Sequence, residues 1–208
     1  MKRLVGDLGG RHDWLRPPEV HGARNLKKAL ALVATTVLLW TGLSASDAHA
    51  ATWGTYPTRK GVILVTKDSY SGSAPLGIVL GVVAGHAAMT YNTSYVAEAL
   101  ANGVQTGQNN WWLVRKNVTA VTTYGTTLAQ DAAAGDWAWA QRGKPYNAEF
   151  FHMEYRHKFY CSQLVWAAFK DKYNIDLNTS WWDIGGAHAI APTELISTPK
   201  AYKVYTKS

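Results

Sequence analysis

The fold is decided by the stretch Gly85-His86-Ala87-Ala88-Met89-Thr90-Tyr91-Asn92-Thr93-Ser94-Tyr95-Val96-Ala97-Glu98-Ala99, near the middle of the 208-residue chain. Two short, largely apolar segments within it predict strands, at His86–Tyr91 and Tyr95–Ala99. Between them, Asn92-Thr93-Ser94 consists of residues that favour a tight turn. The stretch therefore predicts a β-hairpin.

The register of this hairpin determines which side chains share a face of the sheet. With a three-residue loop, Tyr91 lies opposite Tyr95 and Glu98 lies opposite Ala88. Glu98 is then diagonal to His86 on the same face, about 7–8 Å away between Cα atoms, which a long carboxylate can span. A shift of one residue would put the two side chains on opposite faces, and Glu98 could instead be an exposed strand residue.

The rest of the chain predicts further strands and then two helices. Short β-branched runs are typical of strands, and apolar residues three to five apart are typical of helices. Strands followed by helices favour an α+β fold over a doubly wound sheet. The predicted elements are a strand at Gly61–Thr66, an apolar run at Ile78–Ala84, one or two strands within Trp111–Val121, helices at Thr126–Arg142 and Cys161–Tyr173, a loop at Asn178–Gly186 and a strand at Ala201–Thr206.

The first fifty residues have the features of a secretory signal peptide. Arg24, Lys27 and Lys28 precede the apolar run Ala29–Trp40, and an Ala-x-Ala site ends at Ala50. A retained membrane anchor is the alternative, but spanning a bilayer needs about 20 apolar residues. We therefore expect a leader over residues 1–50, one mature domain over residues 51–208, a secreted, extracytoplasmic location and no stable membrane insertion after cleavage.

Composition excludes several classes of protein. A single cysteine rules out a disulfide scaffold and a zinc site built from several thiolates. The formal net charge of +7 arises partly from the leader, which contains seven of the 21 Lys and Arg residues. Because the other basic residues form no stripe and no phosphate-binding glycine loop is present, we expect no nucleic-acid partner.

The lone Cys161 lies in Phe159-Tyr160-Cys161-Ser162-Gln163-Leu164, where an extended segment should pass into a helix. A thiol at a helix N-terminus faces free N–H groups and the positive end of the helix dipole, which favour the thiolate. The same N–H groups could stabilise an oxyanion. The alternative is a buried cysteine that acts only as a small apolar residue. The position favours a nucleophile.

A thiolate nucleophile needs a base and a group that orients the base. His86 is the favoured base, with Glu98 as its partner on the neighbouring strand. His188 is the rival, but too little chain separates it from Cys161 to form the sheet that usually presents such a base. His152 and His157 lie in a polar stretch, and we expect solvated loop residues there rather than a zinc site.

Two tryptophan pairs, Trp111-Trp112 and Trp181-Trp182, have two interpretations. They could form a platform on which sugars or aromatic groups stack. Core or rim packing is favoured, because tryptophan buries a large apolar area.

Four segments of the sequence follow one another in an order that indicates a family. They are Gly85-His86-Ala87-Ala88-Met89, Val96-Ala97-Glu98-Ala99, Gly143-Lys144-Pro145-Tyr146 and Tyr160-Cys161-Ser162-Gln163-Leu164-Val165. The sequence resembles the circularly permuted NlpC-type papain-like cysteine hydrolases of the YiiX-like group, in which the histidine precedes the cysteine. The resemblance implies an antiparallel sheet packed against helices, with the catalytic cysteine at a helix N-terminus.

Carried over residue by residue, the resemblance implies that Cys161 is the nucleophile, His86 the base, Glu98 the third polar residue and Tyr146 a neighbour that helps to position the oxyanion. The sequence departs from the family pattern at two places. Gly61-Val62-Ile63 stands where the family often has Gly-Asp, and Gln163 stands where an acidic residue is common.

These expectations describe a secreted cysteine hydrolase that cleaves an amide bond in cell-wall peptides or N-acyl amino compounds. The chemistry needs no metal and no organic cofactor, and we expect a monomer. The alternatives are a catalytically inactive binding domain on the same fold, or an ester or lipid acyl hydrolase or transferase.

Overall fold

The structure, a computed structural model, describes residues 52–68 and 85–208. The predicted leader and the apolar run Ile78–Ala84 lie outside these residues, so signal cleavage and export stay predictions. The described residues belong to a compact unit that extends over His49–Ser208. Within them, every helix is too short or too polar to cross a lipid bilayer.

Seven strands form an antiparallel sheet in the described part of the chain, in the order β1-β7-β6-β2-β3-β4-β5. Neighbours along the sequence pair through hairpins at β3–β4 and β4–β5, whereas β7 returns from the end of the chain to pair with β6 and β1. The strands are β1 Thr52–Gly54, β2 Ile63–Thr66, β3 His86–Thr90, β4 Tyr95–Leu100, β5 Gly103–Gln108, β6 Val118–Thr123 and β7 Ala201–Lys207.

Within residues 52–68 and 85–208, four helices accompany the sheet: α1 Trp111–Val114, α2 Leu128–Ala140, α3 Cys161–Tyr173 and α4 Pro192–Ser197. Helix α2 begins at an N-cap, Thr127, whose side chain accepts a hydrogen bond from the Gln130 backbone N–H. Helix α3 ends at Asn174, which adopts the left-handed conformation that closes many helices.

The two faces of the sheet have separate apolar cores, because side chains alternate along each strand. Val65, Ala87 and Ala97 pack with α2 and α3 in the larger core. Ala88 and Val96, on the opposite face, pack in a smaller core that includes Trp111. His86 and Glu98 lie two residues from Ala88 and Val96 along their strands, so they share the face of the sheet that carries the smaller core.

The predicted α+β class and most predicted elements are confirmed. The β3–β4 register pairs Ala88 with Glu98, as the three-residue loop requires. Both long helices are present, and α3 has the predicted bounds. The structure adds three elements that the sequence analysis missed, β1, β5 and α4.

One prediction was wrong in part. One or two strands were expected within Trp111–Val121, but residues Trp111–Val114 form the short helix α1, and a single strand begins at Val118. Tryptophan, leucine and valine favour strands when they pack on a pleated surface. Here only Trp111 of that turn is buried, whereas Leu113 is 65% exposed, so tertiary packing overrides the propensity.

The buried Gln163 side chain organises the start of α3. Its Oε1 accepts hydrogen bonds from the Tyr160 backbone N–H at 3.1 Å and from Asn147 Nδ2 at 3.0 Å. Its Nε2 donates to the carbonyl oxygens of Met153 at 3.0 Å and Tyr155 at 3.1 Å. One amide therefore ties the irregular segment before the helix to the turn that contains Cys161, and it uses both its donor and its acceptor groups to do so.

Gln163→Glu tests this arrangement, because a carboxylate accepts hydrogen bonds but cannot donate to the Met153 and Tyr155 carbonyls. We expect a loss of about 1–3 kcal/mol in the free energy of unfolding at pH 7, measured by urea denaturation. The loss should shrink as the pH falls through the pKa of the introduced carboxyl, because the protonated acid donates again. Gln108→Glu, at an exposed strand position, is the matched control. Equal stability of the two variants at pH 7 would contradict the assignment.

Candidate active site

Cys161 is the first residue of α3 and exposes only 5% of its surface. Burial acts to raise the pKa of the Cys161 thiol. Hydrogen bonding to His86 and the charge of that imidazole act against it, as do hydrogen bonds from the backbone N–H groups of Ala87 and Ser162, and the net pKa is lowered. The surroundings of the sulfur therefore favour the thiolate.

His86 is the first residue of β3 and is completely buried. Its Nε2 lies 2.7 Å from Oε2 of Glu98. Burial acts to lower the pKa of His86, but hydrogen bonds and charge from Cys161 and Glu98 outweigh it and raise the pKa to about 9. Because Nε2 faces Glu98, Nδ1 is the nitrogen left to face the sulfur.

Cys161, His86 and Glu98 thus form one line of contacts. The thiolate and the imidazolium stabilise each other, and the carboxylate stabilises the imidazolium from its other side. A group of this kind can supply a nucleophile, accept or donate a proton at Nδ1, and hold the ring orientation at Nε2. The sequence analysis named all three residues, and the structure brings them together.

Hydrogen bonds on both sides of Cys161 hold the helix start in place. The Tyr160 hydroxyl accepts a hydrogen bond of 3.0 Å from the Ile190 backbone N–H. The Ser162 hydroxyl donates to the Ile190 carbonyl oxygen at 2.6 Å. The residues that flank the thiol are therefore tied to one extended segment of the chain, which restricts movement of the sulfur relative to His86.

Trp111 is a part of the site that the sequence analysis did not connect with the histidine. Its ring lies 5.4 Å from the His86 ring between centroids, at an interplanar angle of 30°. Trp111 is 2% exposed, whereas Trp112 is 49% exposed. The two rings therefore do not form a shared stacking platform, and Trp111 instead covers the imidazole.

The second tryptophan pair separates in the same way. Trp181 is 69% exposed and Trp182 is 5% exposed, and their rings meet edge to face at 5.7 Å. Trp182 packs in a small apolar cluster with Ala189, Ala191 and Phe151. Core and rim packing, the favoured interpretation, describes both pairs.

Tyr146 lies on a segment that runs beside the residues leading into α3. It forms an isolated parallel bridge with Phe159, two residues before Cys161. Its ring lies edge to face with Phe150 at 6.4 Å, and Phe150 in turn packs on Tyr160 at 5.4 Å. Tyr146 therefore neighbours the chain that leads into α3, two residues before Cys161.

The other histidines of the described residues, His152, His157 and His188, lie at the surface. His188 Nδ1 pairs with Asp183 Oδ2 at 2.8 Å, and its side chain is 62% exposed. His152 pairs with Glu154 at 2.9 Å and stacks on Tyr155. The rival arrangement with His188 as the base is therefore not the one that the structure assembles. Among residues 52–68 and 85–208, no three or more His, Cys, Asp and Glu side chains cluster as metal ligands would.

Comparison with solved structures identifies a similar fold. The metalloprotein YiiX of Escherichia coli O157:H7 superposes with a TM-score of 0.55 at 18% sequence identity, over 71% of this chain and 96% of the YiiX chain. No curated protein sequence matches the chain significantly.

A family model matches residues 45–205, which include the whole described part of the chain apart from its last three residues. The model is that of the permuted papain-like amidases. Its matched range contains the hairpin with His86 and Glu98 and, later in the chain, the helix that begins at Cys161. The chain belongs to the permuted papain-like amidase family of YaeF and YiiX, the C92 family.

Proposed function

We propose that the protein is an exported cysteine hydrolase that cleaves an amide bond by a Cys161–His86–Glu98 mechanism. One observation carries the proposal: the buried imidazole of His86 lies between Cys161, the only cysteine of the chain, and the Glu98 carboxylate, which is 2.7 Å from His86 Nε2. A cysteine that served only to fill the core would need neither partner. Membership of an amidase family makes an amide the expected substrate bond.

In the first half of the reaction, the Cys161 thiolate attacks the amide carbon and forms a C–S bond. His86, as the imidazolium, then donates its Nδ1 proton to the nitrogen of the leaving amine while the C–N bond breaks. The products are a free amine and a thioester of the acyl group on Cys161. His86 is left neutral, ready to act as a base.

In the second half, neutral His86 takes a proton from a water molecule that attacks the thioester carbon. The C–S bond breaks, the carboxylic acid leaves, and the thiolate and imidazolium are restored. Glu98 holds Nε2–H throughout, so that Nδ1 stays directed at the sulfur and the reacting groups. Glu98 therefore acts by orienting His86 and by stabilising its positive charge.

The negative oxygen that develops on the substrate needs hydrogen-bond donors. The backbone N–H of Cys161, at the start of α3, is one candidate. The Tyr146 hydroxyl is the second, on the strength of its position beside the segment that leads into the helix. Helix α3 adds the positive end of its dipole at the same place.

The proposed substrates are cell-wall peptides or small N-acyl amino compounds. The predicted leader would bring the mature domain to a location where cell-wall peptides occur. Because only 5% of the Cys161 surface is exposed, the carbonyl that reaches the sulfur should belong to a slender acyl group. This limit favours small acyl amides and extended peptides over folded proteins.

The related YiiX is described as a metalloprotein, so the fit of a metal to this chain matters. Cys161, His86 and Glu98 interact with one another. The described residues contain no group of three or more His, Cys, Asp and Glu side chains that could hold a metal ion. The residues present do not fit a metal centre, and the proposed mechanism routes no step through one.

Incubation of the purified protein with peptidoglycan fragments and a panel of N-acyl amino acids, in water enriched in ¹⁸O, tests the proposed function. Mass spectrometry should find products with one ¹⁸O in the new carboxyl group, and Cys161→Ala should abolish them. Products that carry the acyl group on another acceptor would identify a transferase instead. Absence of Cys161-dependent products across the panel, together with an unreactive thiol in the alkylation experiment below, would favour the inactive binding domain.

The pH dependence of Cys161 alkylation by iodoacetamide tests the ion pair. The pKa of the Cys161 thiol is lowered and the pKa of His86 is raised to about 9. The thiolate–imidazolium pair should therefore exist at pH values above the pKa of the thiol and below about 9. We expect rapid alkylation at pH 7 that falls at least tenfold in His86→Ala, because the thiolate loses its stabilising charge. Amide hydrolysis should decline as the pH rises through about 9, where the imidazolium proton needed by the leaving amine is lost.

His188→Ala is the matched control, since His188 pairs with Asp183 at the surface. Its alkylation profile should coincide with that of the unmodified chain. If His86→Ala left the profile unchanged, His86 would not be the partner of the thiol.

Tyr146→Phe tests the oxyanion role. Loss of one such donor in other acyl-transfer enzymes slows turnover by about 10²–10³, so kcat for amide hydrolysis should fall, but less than in Cys161→Ala. Tyr124→Phe, at a tyrosine that is 69% exposed, should leave kcat unchanged. Complete loss in both Tyr146→Phe and Cys161→Ala, with unchanged circular dichroism, would refute this ranking.

A further inference from the structure

Gly107 on β5 lies beside the carboxylate of Glu98. It pairs with Val96 across β4, and Glu98 is two residues along that strand on the same face. A Cβ atom built on Gly107 would lie 2.1 Å from Oε1 of Glu98, 2.7 Å from its Cδ and 3.0 Å from Cγ2 of Val96. Distances under 3.0 Å essentially never occur for real Cβ atoms, so a side chain at Gly107 and the present Glu98 position exclude each other.

The backbone gives no reason for glycine at this position. Several glycines of the described residues have a positive φ, which other residues adopt only with strain, but Gly107 is not one of them. Glycine inside a strand also weakens it, because it has no side chain to pack and loses more conformational entropy. The space that Glu98 occupies is therefore the structural reason for Gly107.

The carboxylate has little freedom to move aside. Oε2 is held at 2.7 Å from His86 Nε2, and the Glu98 side chain is 8% exposed. A shift large enough to clear an added methyl group would lengthen or break that hydrogen bond. The effect of a residue at position 107 would therefore pass through Glu98 to His86.

The missing side chain also leaves the carboxylate in contact with solvent. Glu98 and Gly107 both line an open cavity of about 450 Å³, whose other walls include Gln105, Gln108 and Trp111. A buried charge costs much less when water can reach it. Glu98 is the member of the three site residues that lines this cavity, so the cavity gives solvent access to the carboxylate from the β5 side.

We propose that Gly107 is a positioning residue of the active site: its lack of a side chain lets the Glu98 carboxylate reach His86 and keeps that carboxylate hydrated from the β5 side. The functional meaning of this assignment rests on the proposed roles of His86 and Glu98. The geometric claim, that the Glu98 carboxylate occupies the space of a side chain at position 107, does not depend on the reaction.

A double-mutant cycle tests the assignment, with Gly107→Ala made both in the natural chain and in Glu98→Ala. In the natural chain, Gly107→Ala should lower the rate of Cys161 alkylation at pH 7 by about tenfold, because a displaced carboxylate supports the imidazolium less well and the thiolate loses its stabilising charge. The NMR titration of the His86 ring should move from about 9 towards the ordinary pKa of histidine, because the carboxylate no longer holds Nε2–H. In Glu98→Ala, the same change at Gly107 should alter the alkylation rate by less than twofold.

Gly125→Ala is the matched control, because its added Cβ would meet only the flexible end of Ile175, at 3.2 Å. It should leave both the alkylation rate and the His86 titration unchanged. Thermal unfolding of every variant reports whether the sheet is intact. If Gly107→Ala does not fold in the natural chain, the proposal still predicts that it folds in the Glu98→Ala background as well as Glu98→Ala itself.

The outcomes separate the two proposals. An equal loss from Gly107→Ala in both backgrounds, or none in either, would show that the carboxylate is not the reason for the glycine, and would overturn the assignment. Neither readout of the cycle depends on turnover. Failure of the natural chain to hydrolyse any amide would count against the proposed function and leave the result for Gly107 standing.

Discussion

The hydrogen bond of 2.7 Å between His86 and Glu98 is the interaction on which the rest of the site depends. A completely buried imidazole would ordinarily be neutral, because burial disfavours its charged form. The carboxylate on one side and the sulfur on the other reverse this preference, and they do so together: the thiolate needs the imidazolium, and the imidazolium needs Glu98. Loss of one partner therefore weakens the charged forms of the sulfur and the imidazole that remain.

The sheet makes this contact possible because the positions involved are near in the chain. His86 and Glu98 are twelve positions apart, and a hairpin of fixed loop length puts them on one face at the right distance. This is why the turn residues predicted the register that the structure has. The spacing left open whether Glu98 faces His86 or solvent, and the family resemblance favoured the pair. The helix that begins at Cys161 was equally predictable from its apolar stripe. Local rules therefore determine each half of the site.

The parts that could not be predicted depend on contacts between distant segments. Gln163 gave no sequence signal for the carbonyl groups that it binds, since these lie in an irregular segment with no period. The sequence analysis treated Trp111 as part of a strand. Its contact with His86 exists because the short helix α1, which follows the edge strand β5, brings the Trp111 ring to 5.4 Å from the His86 ring. The role of Gly107 could not be predicted for the same reason. A glycine in a strand indicates that another group packs closely against the backbone, but only the fold shows that this group is the Glu98 carboxylate.

In the proposed mechanism the base, His86, precedes the nucleophile in the chain, whereas the rival histidine, His188, follows it and pairs instead with Asp183 at the surface. The two histidines differ in how firmly their backbone is held. His86 lies on a strand bonded to neighbours on both sides, β2 and β4, whereas His188 lies in a loop with only an isolated bridge to His152. A buried ion pair survives only if its partners are held at hydrogen-bond distance, and a central strand provides that rigidity. Permutation can thus reorder the segments of such a site, provided that the histidine remains on the sheet and the cysteine at the start of the helix.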